Sequence, residues 1–206
     1  MIANISALHQ EFVPSELHHR EGDVTALTSA LRPLVDGDVG EDVLIFGRSG
    51  VGKTTLAKFC CQKLEDHSGT QWGYANCIEA STSTALLRRL LRDGGLAHDL
   101  PHDGKSTAAY FERLRDVDGQ FVAVIDEVDV LDSHDVLVSL YERQNVCMVL
   151  ICVDEHSLFC DLDMRAHSRL RSSKTLTLEG YTHEQMTSIL WDRAKVGLTP
   201  ATINSS

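Results

Sequence analysis

Long hydrophobic runs are missing from this 206-residue sequence, and none approaches the ~18 apolar residues that a helical membrane span needs. The opening stretch, MIANISALHQEF, lacks the basic start and extended apolar segment of a secretory signal. Together these absences imply a cytoplasmic protein with no membrane partner. No CxxC pair occurs among the six cysteines, Cys60, Cys61, Cys77, Cys147, Cys152 and Cys160. Most lie in apolar stretches such as VCMVLICV, so they read as small buried hydrophobes in a reducing compartment, not as a zinc site or a disulfide framework. The histidines, among them His18, His19, His98, His102, His156, His167 and His183, show no metal-ligand spacing beside a carboxylate and read as surface or loop residues. Basic charge is short as well. Against 30 Asp and Glu stand 19 Lys and Arg, a formal net charge of −11. Such a surface repels nucleic acid unless basic groups gather locally or the salt is high, and it keeps a protein dispersed in concentrated salt.

What is present is an alternation of apolar runs and helical stretches, the pattern of a parallel sheet with helices on both faces. Strands are expected at Val43–Phe46, Gly73–Asn76, Phe121–Ile125, Val146–Val153 and Thr175–Leu178. The near-continuous runs FVAVI and VCMVLICV imply strands covered on both sides. Between them, Leu56, Phe59, Cys60 and Leu64 recur at helical spacing, as do Leu86, Leu87, Leu90 and Leu91, and then Tyr110, Phe111, Leu114 and Val117. Near the end, Thr182 and Gln185 are spaced as a capping box, with Tyr181 and Met186 placed as its hydrophobic staple. Asp93 to Ser106 reads as a loop and residues 199–206 as frayed coil.

The strongest motif is GRSGVGKTT, which runs Gly47, Arg48, Ser49, Gly50, Val51, Gly52, Lys53, Thr54, Thr55. It satisfies G-x-x-x-x-G-K-[ST], following an apolar strand and preceding an amphipathic helix. Gly47, Gly50 and Gly52 let the backbone turn tightly, so that successive N–H groups aim at phosphate oxygens. A helix starting at this point presents its positive dipole end to the same anion. Lys53 supplies a point charge to the β- and γ-phosphates, the Thr54 hydroxyl is a magnesium ligand, and Thr55 is placed for the α-phosphate. A glycine-rich turn without a ligand is the plainer alternative.

A second motif, VAVIDEVDVL, ends a buried strand in Asp126 and Glu127. Carboxylates at the carboxyl edge of an open α/β sheet lie where ligands bind. Asp126 is expected to hold Mg²⁺ through water, and Glu127 to orient and deprotonate the attacking water. Asp129 and Asp132 read as solvated or capping carboxylates. ATP or ADP and Mg²⁺ are thus the expected ligands.

These motifs with their surroundings resemble the archaeal origin-recognition and cell-division-control replication initiators, whose core is an AAA+ ATPase, from about Phe12 to Leu198. The matching segments are FVPSELHHRE, the phosphate loop, YANC (Tyr74 to Cys77), SLYERQN (Ser139 to Asn145), DMRAHSRL (Asp163 to Leu170) and GYTHEQMTSILWDRA (Gly180 to Ala194). The resemblance implies an α/β fold: a P-loop NTPase three-layer sandwich on a parallel five-stranded sheet. It divides the chain into a nucleotide-binding core, 1–179, and the first helix of a truncated lid, 180–206. It also implies that Val13, Pro14 and Arg20 border the adenine. Arg169 matches the finger that reaches a neighbouring subunit's nucleotide, with Arg165 and Arg171 as nearby alternatives, and its rigid fork of donors suits a transferring phosphoryl group. A homo- or hetero-oligomer with related initiators follows from that role.

Two departures qualify the resemblance. Where the family places an asparagine after the fourth strand, this sequence has Glu155 with Asp154 beside it, and a carboxylate close to a triphosphate repels it. The lid stops after one helix and the winged-helix DNA-binding domain is lacking, so hydrolysis is expected to suffer more than binding. Origin DNA remains an implied partner through about Glu79 to Ser106, where Arg88, Arg89 and Arg92 share a helical face opposite the leucines. A solvated basic face is the alternative. The implied function is an ATP-binding core for origin recognition and helicase loading, with ATP hydrolysis to ADP and phosphate. The competing function is a non-hydrolysing nucleotide-binding module that regulates full-length relatives.

Overall fold

The structure, a computed structural model, describes residues 13–14, 16–97 and 106–197. Most of the expected loop after Asp93, with His98 and His102, lies outside the described residues, as does the expected coil at 199–206. Five strands, β1 (Val43–Phe46), β2 (Gln71–Asn76), β3 (Phe121–Asp126), β4 (Val146–Cys152) and β5 (Lys174–Thr177), form one sheet in the order β2-β3-β4-β1-β5. Every pairing is parallel. The strands expected from the sequence are therefore all present, β1 with the expected bounds and the others with ends shifted by one or two residues. The expected fifth strand runs one residue earlier, yet the Leu178 N–H still bonds to the Phe46 carbonyl at 2.8 Å.

The period-2 alternation of the strands sorts side chains onto two apolar layers. Val43 and Ile45 of β1, Val122 and Val124 of β3, and Cys147, Val149 and Ile151 of β4 face one layer. It is completed by α1 (Glu21–Leu31) and α2 (Lys53–Ser68). Leu44 and Phe46, Phe121, Ala123 and Ile125, and Met148 and Leu150 face the other. That second layer contains α3 (Ser83–Asp93), α4 (Thr107–Arg115), α5 (Asp135–Tyr141), α6 (Glu155–Asp161) and α7 (Met164–Leu170). All residues of β1, β3 and β4 are buried, which is why these strands read as unbroken apolar runs.

Helix α3 shows how closely the layers approach. Its leucines 86, 87, 90 and 91 are all fully buried against the sheet. At Gly73 of β2, a Cβ would come within 2.1 Å of the Leu90 carbonyl oxygen, so only glycine lets this helix settle onto the strand. The final helix, α8 (His183–Gly197), starts with the expected capping box. The Thr182 N–H donates to Gln185 Oε1 at 2.9 Å, and the Gln185 N–H donates to Thr182 Oγ1 at 3.2 Å. Five of the six cysteines are buried and Cys160 is exposed.

Candidate functional site

The carboxyl ends of β1, β3 and β4 open onto one edge of the sheet, and the 47–55 loop spans it. Gly47 leaves β1 at φ 150°, and a Cβ here would come within 2.6 Å of the Leu178 carbonyl oxygen. Its N–H is tied to the Val153 carbonyl at the end of β4, 3.2 Å away. Gly50 and Gly52 also take positive φ values, 81° and 92°. These turns bring the chain into α2, which begins at Lys53 and so directs its first free N–H groups into the loop.

Lys53 is 6% exposed, and its Nζ donates to the carbonyl oxygens of Gly47 and Arg48 at 2.6 and 3.1 Å. The ammonium is therefore held within the curve of the loop. One residue on, Thr54 Oγ1 donates to Asp126 Oδ2 at 2.6 Å, joining the loop helix to the end of β3. Asp126 is only 4% exposed, yet it is well satisfied. Tyr74 Oη from β2 donates to the same Oδ2 at 3.0 Å, and the Glu127 N–H donates to Oδ1 at 3.0 Å. The two motifs, 72 residues apart in sequence, thus meet in a single hydrogen bond.

Glu127 follows in the left-handed region at φ 53°, ψ 48°. Such a conformation costs a non-glycine residue on the order of 1 kcal/mol and collects at functional sites. Partial burial pushes its carboxyl above the usual range, and the charges of Asp126 and Asp129 add to the rise while Lys53 opposes it. A more basic carboxylate at a crevice is suited to taking a proton from water. Asp129 is half-buried, whereas Asp132 Oδ2 accepts from Ser81 Oγ at 3.1 Å and so pins the loop after β2.

Beside the loop lies a cavity of about 750 Å³, lined in part by Val13, Pro14, Leu17, Gly50, Gly52 and Thr55. Tyr181, Met186, Ile189 and Arg193 close it from the side of α8. Val13 and Pro14, which the resemblance sets beside the adenine, line this cavity. Arg20 does not line this cavity. It is 8% exposed and bonds to the carbonyl oxygens of Val51 and Glu179 and to Asp23 Oδ2, with its guanidinium 4.3 Å from the centre of the Tyr181 ring. The side chain is a clasp between the phosphate loop and the segment leading to α8. Nothing local in the sequence signals this, because two of its acceptors lie 31 and 159 residues away.

Arg169 stands apart from the loop, on α7. Its Nη2 donates to Glu142 Oε1 at 3.0 Å, and Arg165 reaches the same oxygen at 2.8 Å. The two guanidinium groups hold the Glu142 carboxyl below its usual range. Asp154 and Glu155, at the end of β4, are exposed, and Asp154 caps α6 by accepting the Ser157 N–H at 2.7 Å. Arg88, Arg89 and Arg92 line a shallow cleft on α3 with Glu79 and Ala85, on the face turned away from the leucines.

Comparisons with known proteins agree with this geometry. The family model described as AAA ATPase domain matches residues 16–151. ORC1-type DNA replication protein 1 of Halobacterium salinarum is 35% identical over 208 aligned residues, which cover 100% of this chain and 68% of that protein. ORC1-type DNA replication protein 9 of the same organism is 32% identical, with 100% of this chain and 59% of that protein covered. Among solved structures, the Aeropyrum pernix ORC1 protein in complex with DNA superimposes with a TM-score of 0.80 at 25% identity, covering 97% of this chain and 55% of that one. The Thermotoga maritima RuvB branch-migration motor shares the fold more distantly, at a TM-score of 0.58 and 22% identity, with 88% of this chain and 53% of that one covered.

Proposed function

This chain belongs to the ORC1-type DNA replication proteins and carries an AAA ATPase domain, and from that premise we propose that it is the ATP-binding core of a replication initiator. The observation that carries the reading is the 2.6 Å contact between Thr54 and the buried Asp126, beside an ammonium held inside the loop. A hydroxyl and a carboxylate are hard oxygen donors, a set that fits Mg²⁺ with several retained waters. When bound, Mg²⁺ supplies positive charge against the β- and γ-phosphate oxygens.

The chain's own residues have separable tasks in this reading. The N–H groups from Ser49 to Thr55 bind the phosphates, and Lys53 turns its ammonium from the Gly47 and Arg48 carbonyls to the β- and γ-oxygens. The cavity beside Val13 and Pro14 takes the base. Glu127 orients the attacking water and accepts its proton. Arg169, from α7, is offered to the nucleotide of a neighbouring subunit, and Glu142 holds it until that neighbour arrives. The functional division falls near residue 179, where Arg20 clasps the start of the lid segment. Arg88, Arg89 and Arg92 form the surface for a DNA backbone.

One observation favours a second reading. Asp154 and Glu155 put two carboxylates at the end of β4, beside the loop anchored on Val153. With Asp154 capping α6, Glu155 is the carboxylate that replaces the asparagine of the resembled family, and the loss of that amide beside the attacking water supports a chain that holds nucleotide without turning it over. Two measurements on the purified chain separate the readings. Saturating ATP with Mg²⁺ is expected to raise the thermal midpoint, since a ligand at a hundred times its Kd stabilises by roughly 2.7 kcal/mol. Phosphate release, with and without duplex DNA, then decides between hydrolysis and holding. No rise with ATP contradicts both.

A further inference from the structure

Asp126 has a partner that neither motif contains. Strand β2 lies at the sheet edge and pairs with β3 in parallel register, Tyr74 opposite Val124 and Asn76 opposite Asp126. Side chains two apart on a strand share a face. Tyr74 therefore lies on the α2 side of the sheet, one step short of Asp126, and its length carries the hydroxyl forward to Asp126 Oδ2 at 3.0 Å. Any apolar residue would fill this half-buried position, but phenylalanine would leave the carboxylate without that bond.

The tyrosine is itself held from three directions. Its backbone N–H, on an edge strand, donates to Asp93 Oδ2 at 2.8 Å. Lys58 of α2 places its ammonium 3.6 Å from the ring centre. The hydroxyl is anchored on Asp126. Oδ2 thus accepts two hydroxyl donors, Thr54 at 2.6 Å and Tyr74 at 3.0 Å, while among the described residues Oδ1 accepts only the Glu127 N–H. With the Thr54 proton committed to Oδ2, the Thr54 lone pairs are left for a cation. Without Tyr74, one donor on α2 would alone fix the side of the carboxyl group that meets it.

We propose that Tyr74 is a positioning residue for the magnesium site: its hydroxyl, donated from the edge strand to Asp126 Oδ2, fixes the carboxylate orientation on which Mg²⁺ binding beside Thr54 depends. This rests on the reading that the 47–55 loop holds MgATP. Hydrogen-bond partners of metal-directed carboxylates typically change metal affinity 10- to 100-fold when removed. The Tyr74 hydroxyl, one of three donors to Asp126, belongs at the lower end.

The test is calorimetric titration of ATP into the whole chain and its Tyr74→Phe variant, over a Mg²⁺ series and in excess EDTA, with thermal midpoints measured alongside. The expected result is a roughly tenfold rise in the Mg²⁺ concentration needed for half-maximal enhancement of ATP affinity. Affinity in EDTA stays at the wild-type value, and the thermal midpoint falls by no more than the loss of one hydrogen bond to a buried carboxylate brings. An unchanged Mg²⁺ dependence overturns the proposal. So does an equal loss with and without Mg²⁺, which marks a merely structural tyrosine. If the wild-type chain binds ATP no better with Mg²⁺ than without, the underlying nucleotide reading fails first, and that result is distinct because it appears before any variant is made.

Discussion

Two carboxylates stand at opposite ends of the same sheet, Asp126 buried and Asp42 half-buried, and they are treated differently. Asp126, at the carboxyl end of β3, accepts three hydrogen bonds among the described residues, two from hydroxyls and one from a backbone N–H. Asp42, just ahead of β1, accepts one from the Met148 N–H at 2.7 Å, and burial pushes its carboxyl up to about 6. The N–H only partly opposes that rise. A desolvated charge costs stability unless donors or cations offset it. At one end of the sheet the donors converge from three elements and prepare a cation site. At the other a single amide serves to pin β4 to the start of β1. Burial alone therefore does not mark function here; the number and origin of the donors do.

The largest effect expected at the carboxyl end is kinetic. Glu127→Gln keeps shape and hydrogen bonding but removes the base, so ATP turnover should fall roughly a thousandfold while ATP affinity holds. Steady-state phosphate release together with equilibrium binding checks this, and wild-type turnover in the variant would remove Glu127 from the mechanism.

The next effect probes the amino-terminal end. The folded-state pKa of Asp42 lies above the 3.8 of the free group, so the native state holds more protons between those values. Stability from this group is complete below pH ~4, declines as pH rises through about 6 and is flat above. Asp42→Asn removes the charge and keeps an acceptor for Met148. It should stabilise the chain by about 2 kcal/mol at pH 7, with little change at pH 4. Urea unfolding across that range is the measurement. Asp126→Asn gives the contrast, losing Mg²⁺-dependent ATP affinity without the same gain in stability.

The smallest effect concerns α8. Thr182→Ala removes the side-chain half of the capping box and should cost about 1 kcal/mol. Faster amide exchange confined to the first turn of α8, with ATP affinity weakened less than twofold, is the expected pattern; a global change would mean that the box holds more than its own helix.

Much of the sheet was legible because its signals are local. Apolar runs located β1, β3 and β4, and the Gly47–Thr55 pattern set the loop and the start of α2. The Thr182–Gln185 box marked the start of α8 for the same reason. Residues 21–36, which form α1 and a short 3₁₀ turn, carried no such signal. Only Leu27, Ala30 and Leu31 of α1 are buried, too few for a clear stripe. The site was read as two separate motifs, and what joins them is tertiary. The Tyr74 hydroxyl, the Arg20 clasp and the Glu142 hold on Arg169 each link residues at least 27 apart, and periodicity carries no information at that range. Arg20 illustrates the limit. Resemblance sets it beside the base, and only the fold shows its bonds to Val51 and Glu179 and its place against the Tyr181 ring.

The central claim is that the amides and ammonium of the 47–55 loop bind a polyphosphate. Calorimetric titration of ATP into the wild-type chain and into Lys53→Ala, both at saturating Mg²⁺, tests it most directly. The account predicts measurable binding by the wild type and a loss on the order of a hundredfold in the variant, the scale of a buried charge-assisted contact. Equal affinities in the two proteins would contradict it.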